Sequence, residues 1–271
     1  MTNDQPVIQS TLAKSISNMT HGARKPLLFI SDLHLQDRSP VLTNALVRFL
    51  AEQSGSCGAL YILGDLFEVW LGDDTRGSCV DRVSDALRDF TRSGSKLFLM
   101  HGNRDFLIGN SFAAQCGAQL IQEPYRLGTA HGDIILLHGD SLCTDDLEYQ
   151  HFRSMVRTVQ WQSEFLSRSL EERAQFAQQA RAQSQESMAN KTEEVLDVNH
   201  QAVLDCFESN GCPRLLHGHT HRPAVHAVPL EQPIDGKLEA TRMVLGDWGT
   251  LGWYAVVSDD TWELRHFNIS S

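Results

Sequence analysis

The stretch Leu60-Tyr61-Ile62-Leu63-Gly64-Asp65 organises the chain. An apolar run this short reads as a strand buried on both faces, of the kind found in parallel sheets. Such strands deliver function at their carboxyl ends, where the chain emerges into a crevice. Asp65 stands at that exit, and Gly64 lets the backbone turn beside it. A lone Leu-Gly-Asp would more simply be a cap for the next element. Repetition overturns that reading. Leu27–Ser31 leads into Asp32-Leu33-His34, and Leu97–Met100 into His101-Gly102-Asn103-Arg104-Asp105. Ile134–Leu137 leads into His138-Gly139-Asp140, and Leu215-Leu216 into His217-Gly218-His219-Thr220-His221.

Outward from these exits the pattern alternates. Pro40 can open a helix whose apolar positions Leu42, Ala45, Leu46, Phe49 and Leu50 share a face, ending near Gly55. Val80–Phe90 predicts a second helix and Ser111–Cys116 a third. This β-α-β-α-β rhythm implies a mostly parallel sheet with right-handed crossovers. Tyr125–Leu127 and Ile134–Leu137 predict a hairpin. Residues from Asp145 to about 190 have almost no Gly or Pro and read as inserted helices between two ligand-bearing strands. Phe152, Met155, Val156 and Val159 fall at helical spacing there, with Trp161 and Phe165 beyond. Val195–Cys206 predicts a further helix, and four short C-terminal runs predict an antiparallel meander closing a second sheet. The segment 1–24 is polar, lacks the apolar core of a signal peptide, and is expected to be a mobile tail.

A net charge of −11 without any basic run argues against a nucleic-acid partner. It also confines any contact with anionic lipid to a local apolar face. The six cysteines are widely spaced, with no C-x-x-C pair, and read as reduced thiols. No run reaches the ~18–20 apolar residues needed to span a bilayer, so the cytoplasm is the expected address.

The donors at the exits are Asp32, His34, Asp65, Asn103, His138, His219 and His221. Imidazole and oxygen donors without thiolate suit Mn²⁺, Fe, Zn²⁺ or a similar ion rather than Ca²⁺ or a structural zinc. Seven donors exceed one four-coordinate ion but suffice for two if one carboxylate bridges, and Asp65 is the natural bridge. Asp32 and His34, two apart at a strand end, would point the same way. Two carboxylates leave charge on two divalent ions for a phosphate or diphosphate to balance, which points to phosphoester or phosphoanhydride hydrolysis. Asp105, Asp140 and His217 read as support or caps rather than ligands.

Asp32-x-His34, Gly64-Asp65, Gly102-Asn103-Arg104-Asp105, His138 and Gly218-His219-Thr220-His221 resemble, in order, the five-block signature of the calcineurin-like metallophosphoesterase superfamily. The resemblance implies a four-layer α/β/β/α sandwich with an inserted helical lid. It assigns Asp32, His34, Asp65 and His221 to one ion, and Asp65, Asn103, His138 and His219 to the other. Two Mn²⁺ ions are the expected cofactors. Where most of the superfamily carries a histidine this chain has Arg104, whose permanently charged fork suits phosphate oxygens and transition-state charge better than proton donation.

His-Gly-Asn-Arg-Asp-Phe, Leu63–Glu68, Leu142–Asp146 and His217–Pro223 are similar to the UDP-2,3-diacylglucosamine diphosphatases of lipid A synthesis. That likeness implies water attack on the α-phosphorus, releasing UMP and diacylglucosamine 1-phosphate. It implies substrate contacts at Asn103, Arg104, Asp146, Ser184, Lys191 and His219, with Met188 where the family often has Asn. It also implies a lipid substrate, peripheral contact with the cytoplasmic face of the inner membrane, and a monomer. The stripe from Phe152 to Phe165 could line an acyl-chain cleft, or simply pack the insertion onto the body. The alternatives are another dinuclear enzyme, acting on nucleotides or phosphoproteins, and a non-catalytic scaffold on the same fold.

Overall fold

The computed structural model describes residues 24–189, 191–192 and 195–269. Expectations for the tail before Arg24 and for the Met188 side chain fall outside what is described.

Two mixed sheets stack face to face. The first has the order β11-β10-β1-β2-β3-β4, where β1 is Leu27–Ile30, β2 Ala59–Leu63, β3 Lys96–Met100 and β4 Gln119–Ile121. These four run parallel, while β10 (Leu251–Val257) and β11 (Trp262–Asn268) add antiparallel to the β1 edge. The second sheet has the order β5-β6-β7-β9-β8: β5 is Tyr125–Thr129, β6 Gly132–Leu136, β7 Arg214–His217, β8 Ala224–Ile234 and β9 Lys237–Val244.

The period of two along each strand sorts side chains between layers. Phe29, Tyr61, Leu63 and Met100 point inward and meet Ile134, Leu136, Leu216 and Met243 of the second sheet. Tyr61 stacks between Phe29 and Phe98, with centroids 5.0 and 4.6 Å away. Leu28, Ile30, Leu60 and Ile62 point outward, against α1 (Pro40–Gln53) and α2 (Ser78–Arg92). A short α3 (Asn110–Cys116) completes that layer. On the other outer face, α7 (His200–Asn210) lays Val203 and Phe207 over Ile135 and Leu215. The result is the α/β/β/α sandwich that the motifs imply. Helices α4 (Leu147–Val156), α5 (Val159–Leu166) and α6 (Leu170–Ala189) are inserted between β6 and β7.

Three expectations are corrected. The helix predicted from Val195 begins only at His200, because the Asn199 side chain caps it by accepting the Ala202 N–H at 3.0 Å. The C-terminal runs do not form one meander. β8 and β9 join the second sheet, whereas β10 covers the otherwise open edge of β1 in the first. The strand-alternation argument for Asp32 and His34 also fails, since β1 stops at Ile30 and both residues lie in a turning loop.

Candidate metal centre

The parallel strands β1, β2, β3, β6 and β7 all end at one edge of the sandwich, and the seven donors leave from those ends. The loops after β1 and β2 stay paired beyond the strands: Asp32 N–H donates to the Gly64 carbonyl at 3.1 Å, and His34 N–H to that of Asp65 at 3.0 Å. What aims the side chains is backbone handedness. Six described non-glycine residues have positive φ, and five of them are Asp32, His34, Asp65, His219 and His221. Left-handed backbone costs an L-residue about 1–3 kcal/mol and persists only when its surroundings over-determine it. Each kink turns a donor inward.

Two groups of donors result. In the first, the Nε2 atoms of His34 and His221 lie 3.2 Å apart, and Asp32 Oδ1 is 3.4 Å from His221 Nε2. In the second, Asn103 Oδ1 lies 2.9 Å from His138 Nε2 and 3.1 Å from His219 Nδ1. Asp65 stands between them, with Oδ2 3.9 Å from His34 Nε2 and Oδ1 3.8 Å from His138 Nε2. Donor atoms of Asp32, His34 and His221 lie within 4.8 Å of one another, as do those of Asp32, Asp65 and His138.

This donor chemistry fits a pair of cations. Asp32 Oδ1 is buried without a hydrogen bond among the described residues. Two imidazole nitrogens confronting each other beside carboxylates make a cluster of Lewis bases short of positive charge. Burial, with the Asp105 and Asp32 carboxylates, pushes Asp65 up to about 6 against the pull of His138 and His34. Burial would raise Asp32 too, but the His221, His138 and His34 imidazoles outweigh it and hold its carboxyl well below the usual range. Desolvation would lower His138, yet Asp65, Asp140, Asp32 and Glu123 carry it up to about 9. His219 is pushed down to about 4 by desolvation and the His138 charge.

Neighbouring groups fix the rings. His138 Nδ1 is held 2.8 Å from the Leu63 carbonyl, leaving Nε2 for the centre. Glu68 lies with Oε2 3.3 Å from His34 Nδ1, while its Oε1 pairs with Arg181 of α6. Asp105 accepts the Leu66 and Gly102 N–H groups at 2.8 Å each, tying the β2 and β3 exits together. His217 lies buried with Nε2 3.2 Å from Arg242 Nη1, and burial and that guanidinium push it down to about 3. Each of these contacts holds a loop or ring that bears a candidate donor. Ser31, Glu68, Glu123, Tyr149 and Arg153 escaped the sequence reading. Only Ser31 and Glu68, adjacent to donor motifs, carried a local signal.

A cleft of about 1130 Å³ opens from the donors towards the insertion. Arg104 lines it, and its backbone N–H donates to Asp65 Oδ1 at 2.8 Å. Asp146 and Lys191 line it as a pair, at 2.8 and 2.9 Å, with exposed Ser184 nearby on α6. Further out the walls are Phe106, Phe152, Met155, Trp161, Phe165 and Phe176. Trp161 stacks on Phe165 with centroids 4.7 Å apart. Two members of the predicted stripe do not take part: Val156 packs inside at 2% exposure, and Val159 faces solvent at 84%. The turn between α4 and α5 resets the helical phase at this point, so spacing does not carry across it. No described helix is long and apolar enough to cross a membrane.

Residues 25–223 match the family described as Calcineurin-like phosphoesterase. A UDP-2,3-diacylglucosamine hydrolase of Hahella chejuensis is 44% identical over 239 residues, covering 88% of this chain and 96% of that protein. Proteins of the same description from Chromohalobacter salexigens and Tolumonas auensis are 42% and 43% identical, each covering 86% of this chain and 93% of the relative.

Proposed function

The chain belongs to the calcineurin-like phosphoesterase family and is a metal-dependent hydrolase, and from that premise we propose that it cleaves the diphosphate of UDP-2,3-diacylglucosamine. Water attacks the α-phosphorus, and the products are UMP and 2,3-diacylglucosamine 1-phosphate, a step of lipid A biosynthesis. One observation carries the reading: two donor groups sharing Asp65 open onto a cleft that Phe106, Phe152, Met155, Trp161, Phe165 and Phe176 also line. A substrate with a diphosphate at one end and two acyl chains at the other combines the same two chemistries.

Asp32, His34, Asp65 and His221 would hold one ion, and Asp65, Asn103, His138 and His219 the other, with Mn²⁺ as the proposed metal. Bound there, such ions would supply Lewis-acid polarisation of a phosphoryl group and activation of water. The chain supplies the rest. Asp65 presents one oxygen to each donor group, so that a single side chain sets the separation of the two halves. The Arg104 guanidinium would fork onto the phosphate oxygens, where its fixed charge counters the charge that builds in the transition state. Asn103 and His219 flank that position. Asp146, Ser184 and Lys191 contact the sugar phosphate beyond it, and Phe152, Met155, Trp161 and Phe165 take the acyl chains and exclude water. Exposed Leu147, Val159 and Leu170 on the insertion suit peripheral contact with the cytoplasmic face of the inner membrane, by a monomer.

Phosphorus NMR of the products formed in ¹⁸O-water tests this. Label in UMP is the expected result. Label in the sugar phosphate, or turnover of bis(p-nitrophenyl) phosphate without turnover of the acylated substrate, would replace this reading with another family activity.

A further inference from the structure

Helix α4 supplies none of the seven candidate donors, yet the loops of three of them rest on it. Arg153 Nε donates to Asp140 Oδ2 at 2.8 Å, and its Nη2 pairs with Glu123. Glu123 in turn accepts the backbone N–H of His138 at 2.9 Å. Asp140 is fully buried two residues beyond His138, and it also accepts the Tyr149 hydroxyl. The Tyr149 ring lies over His219, with centroids 6.2 Å apart and planes 25° from parallel. Arg157 Nη2, just past the end of α4, donates to the Gly102 carbonyl at 2.8 Å, next to Asn103. Tyr149, Arg153 and Arg157 are four residues apart and so share one face.

All three loops bearing Asn103, His138 and His219 therefore meet this one face. The other donors do not. Asp32 is held by Ser31 and the His219 N–H, His34 lies beside Glu68, and His221 lies 3.9 Å from Asp247. The Arg153 cluster also leaves one buried oxygen unsatisfied among the described residues. A buried ion pair repays its desolvation only when its remaining lone pairs are satisfied. Asp140 Oδ1 is buried with no hydrogen-bond partner among the described residues.

We propose that α4, acting through Arg153, positions the Asn103–His138–His219 half of the centre and leaves the Asp32–His34–His221 half untouched. Arg153 is thus a positioning residue for one ion of the pair, and the inserted helices are part of the metal centre as well as of the cleft. The inference rests on the dinuclear reading above, and measuring the wild type separates the two.

The experiment titrates the metal-free full chain with Mn²⁺, followed by calorimetry and by electron paramagnetic resonance, which distinguishes a spin-coupled pair from an isolated ion. Wild type is expected to bind two ions and give the coupled spectrum. Arg153→Gln is expected to keep one ion at wild-type affinity and to bind the other about 10–100-fold more weakly, with the spectrum of an isolated ion. Arg153→Lys should recover part of the loss, because an ammonium reaches one carboxylate but cannot fork across both. Tyr149→Phe, which keeps the ring and removes one hydrogen bond, should weaken the same ion less. It decides the matter if Arg153→Gln fails to fold. Arg126→Gln, at an exposed pair with Asp133, should bind both ions as wild type does. Coupled pairs of wild-type affinity in both Arg153→Gln and Tyr149→Phe would overturn the proposal, as would equal weakening of both ions. A wild type that binds fewer than two ions would overturn the dinuclear reading, and the inference with it.

Discussion

Gly102 lies so close to Asp65 that a Cβ on it would overlap the carboxylate oxygen Oδ1. The glycine carries no chemistry, yet the carboxylate that faces both donor groups keeps its position only because no side chain stands there. Gly102→Ala is therefore expected to weaken metal binding about 10–100-fold, as loss of a supporting group does. Metal content per chain after dialysis reads this directly, and full occupancy in the alanine variant would refute it.

Asp65→Asn keeps the size of the side chain, and asparagine tolerates the left-handed backbone at φ 53°. The fold should survive while the shared negative charge is lost. Hydrolysis is expected to fall by at least about 10³-fold, which corresponds to several kcal/mol of transition-state stabilisation. A circular-dichroism melt beside the rate assay separates loss of chemistry from loss of fold.

Arg104→Ala should lower kcat by about 10²–10³-fold, the cost of removing one preorganised donor to a developing oxyanion. Arg104→Lys should recover little, because an ammonium keeps the charge but lacks the planar fork. Both variants should retain wild-type metal content. Lost metal would mean that the guanidinium is structural.

Chelation should abolish activity, and Mn²⁺ should restore it. Saturation at 100 times the dissociation constant stabilises the folded state by about 2.7 kcal/mol per ion, so the chain stripped of both ions should melt roughly 10–20 °C lower. Calorimetry with and without chelator measures the difference. Identical melting points would argue against ions bound at buried carboxylates.

Trp161→Ala should raise KM for the diacylated substrate about tenfold or more, with kcat nearly unchanged, since it removes apolar wall and not chemistry. Val159→Ala, at an 84% exposed position two residues before Trp161 and outside that wall, should not change turnover of the same substrate presented as a monomer. Equal effects of the two substitutions would put the acyl chains elsewhere.

The sequence made the centre legible for a physical reason. β2 is buried at all five positions, and every donor follows the end of a strand of this kind by two to four residues. Partners held only by long-range pairing were not legible. Nothing near Glu123 announces that it will meet Arg153 thirty residues later, or that β10 will leave the second sheet for the edge of β1. Local spacing also misled where turns intervene. Val159 continues the period of α4, but the break after Val156 turns it to solvent.

The left-handed kinks at Asp32, His34, Asp65, His219 and His221 have a further consequence for anyone who wishes to engineer the chain. Glycine at any of them would relieve backbone strain, so a screen that rewards heat resistance alone would favour the loss of these side chains. The hardiest descendants of such a campaign would be inert. Durability and turnover should therefore be selected together, or these five positions kept fixed from the start.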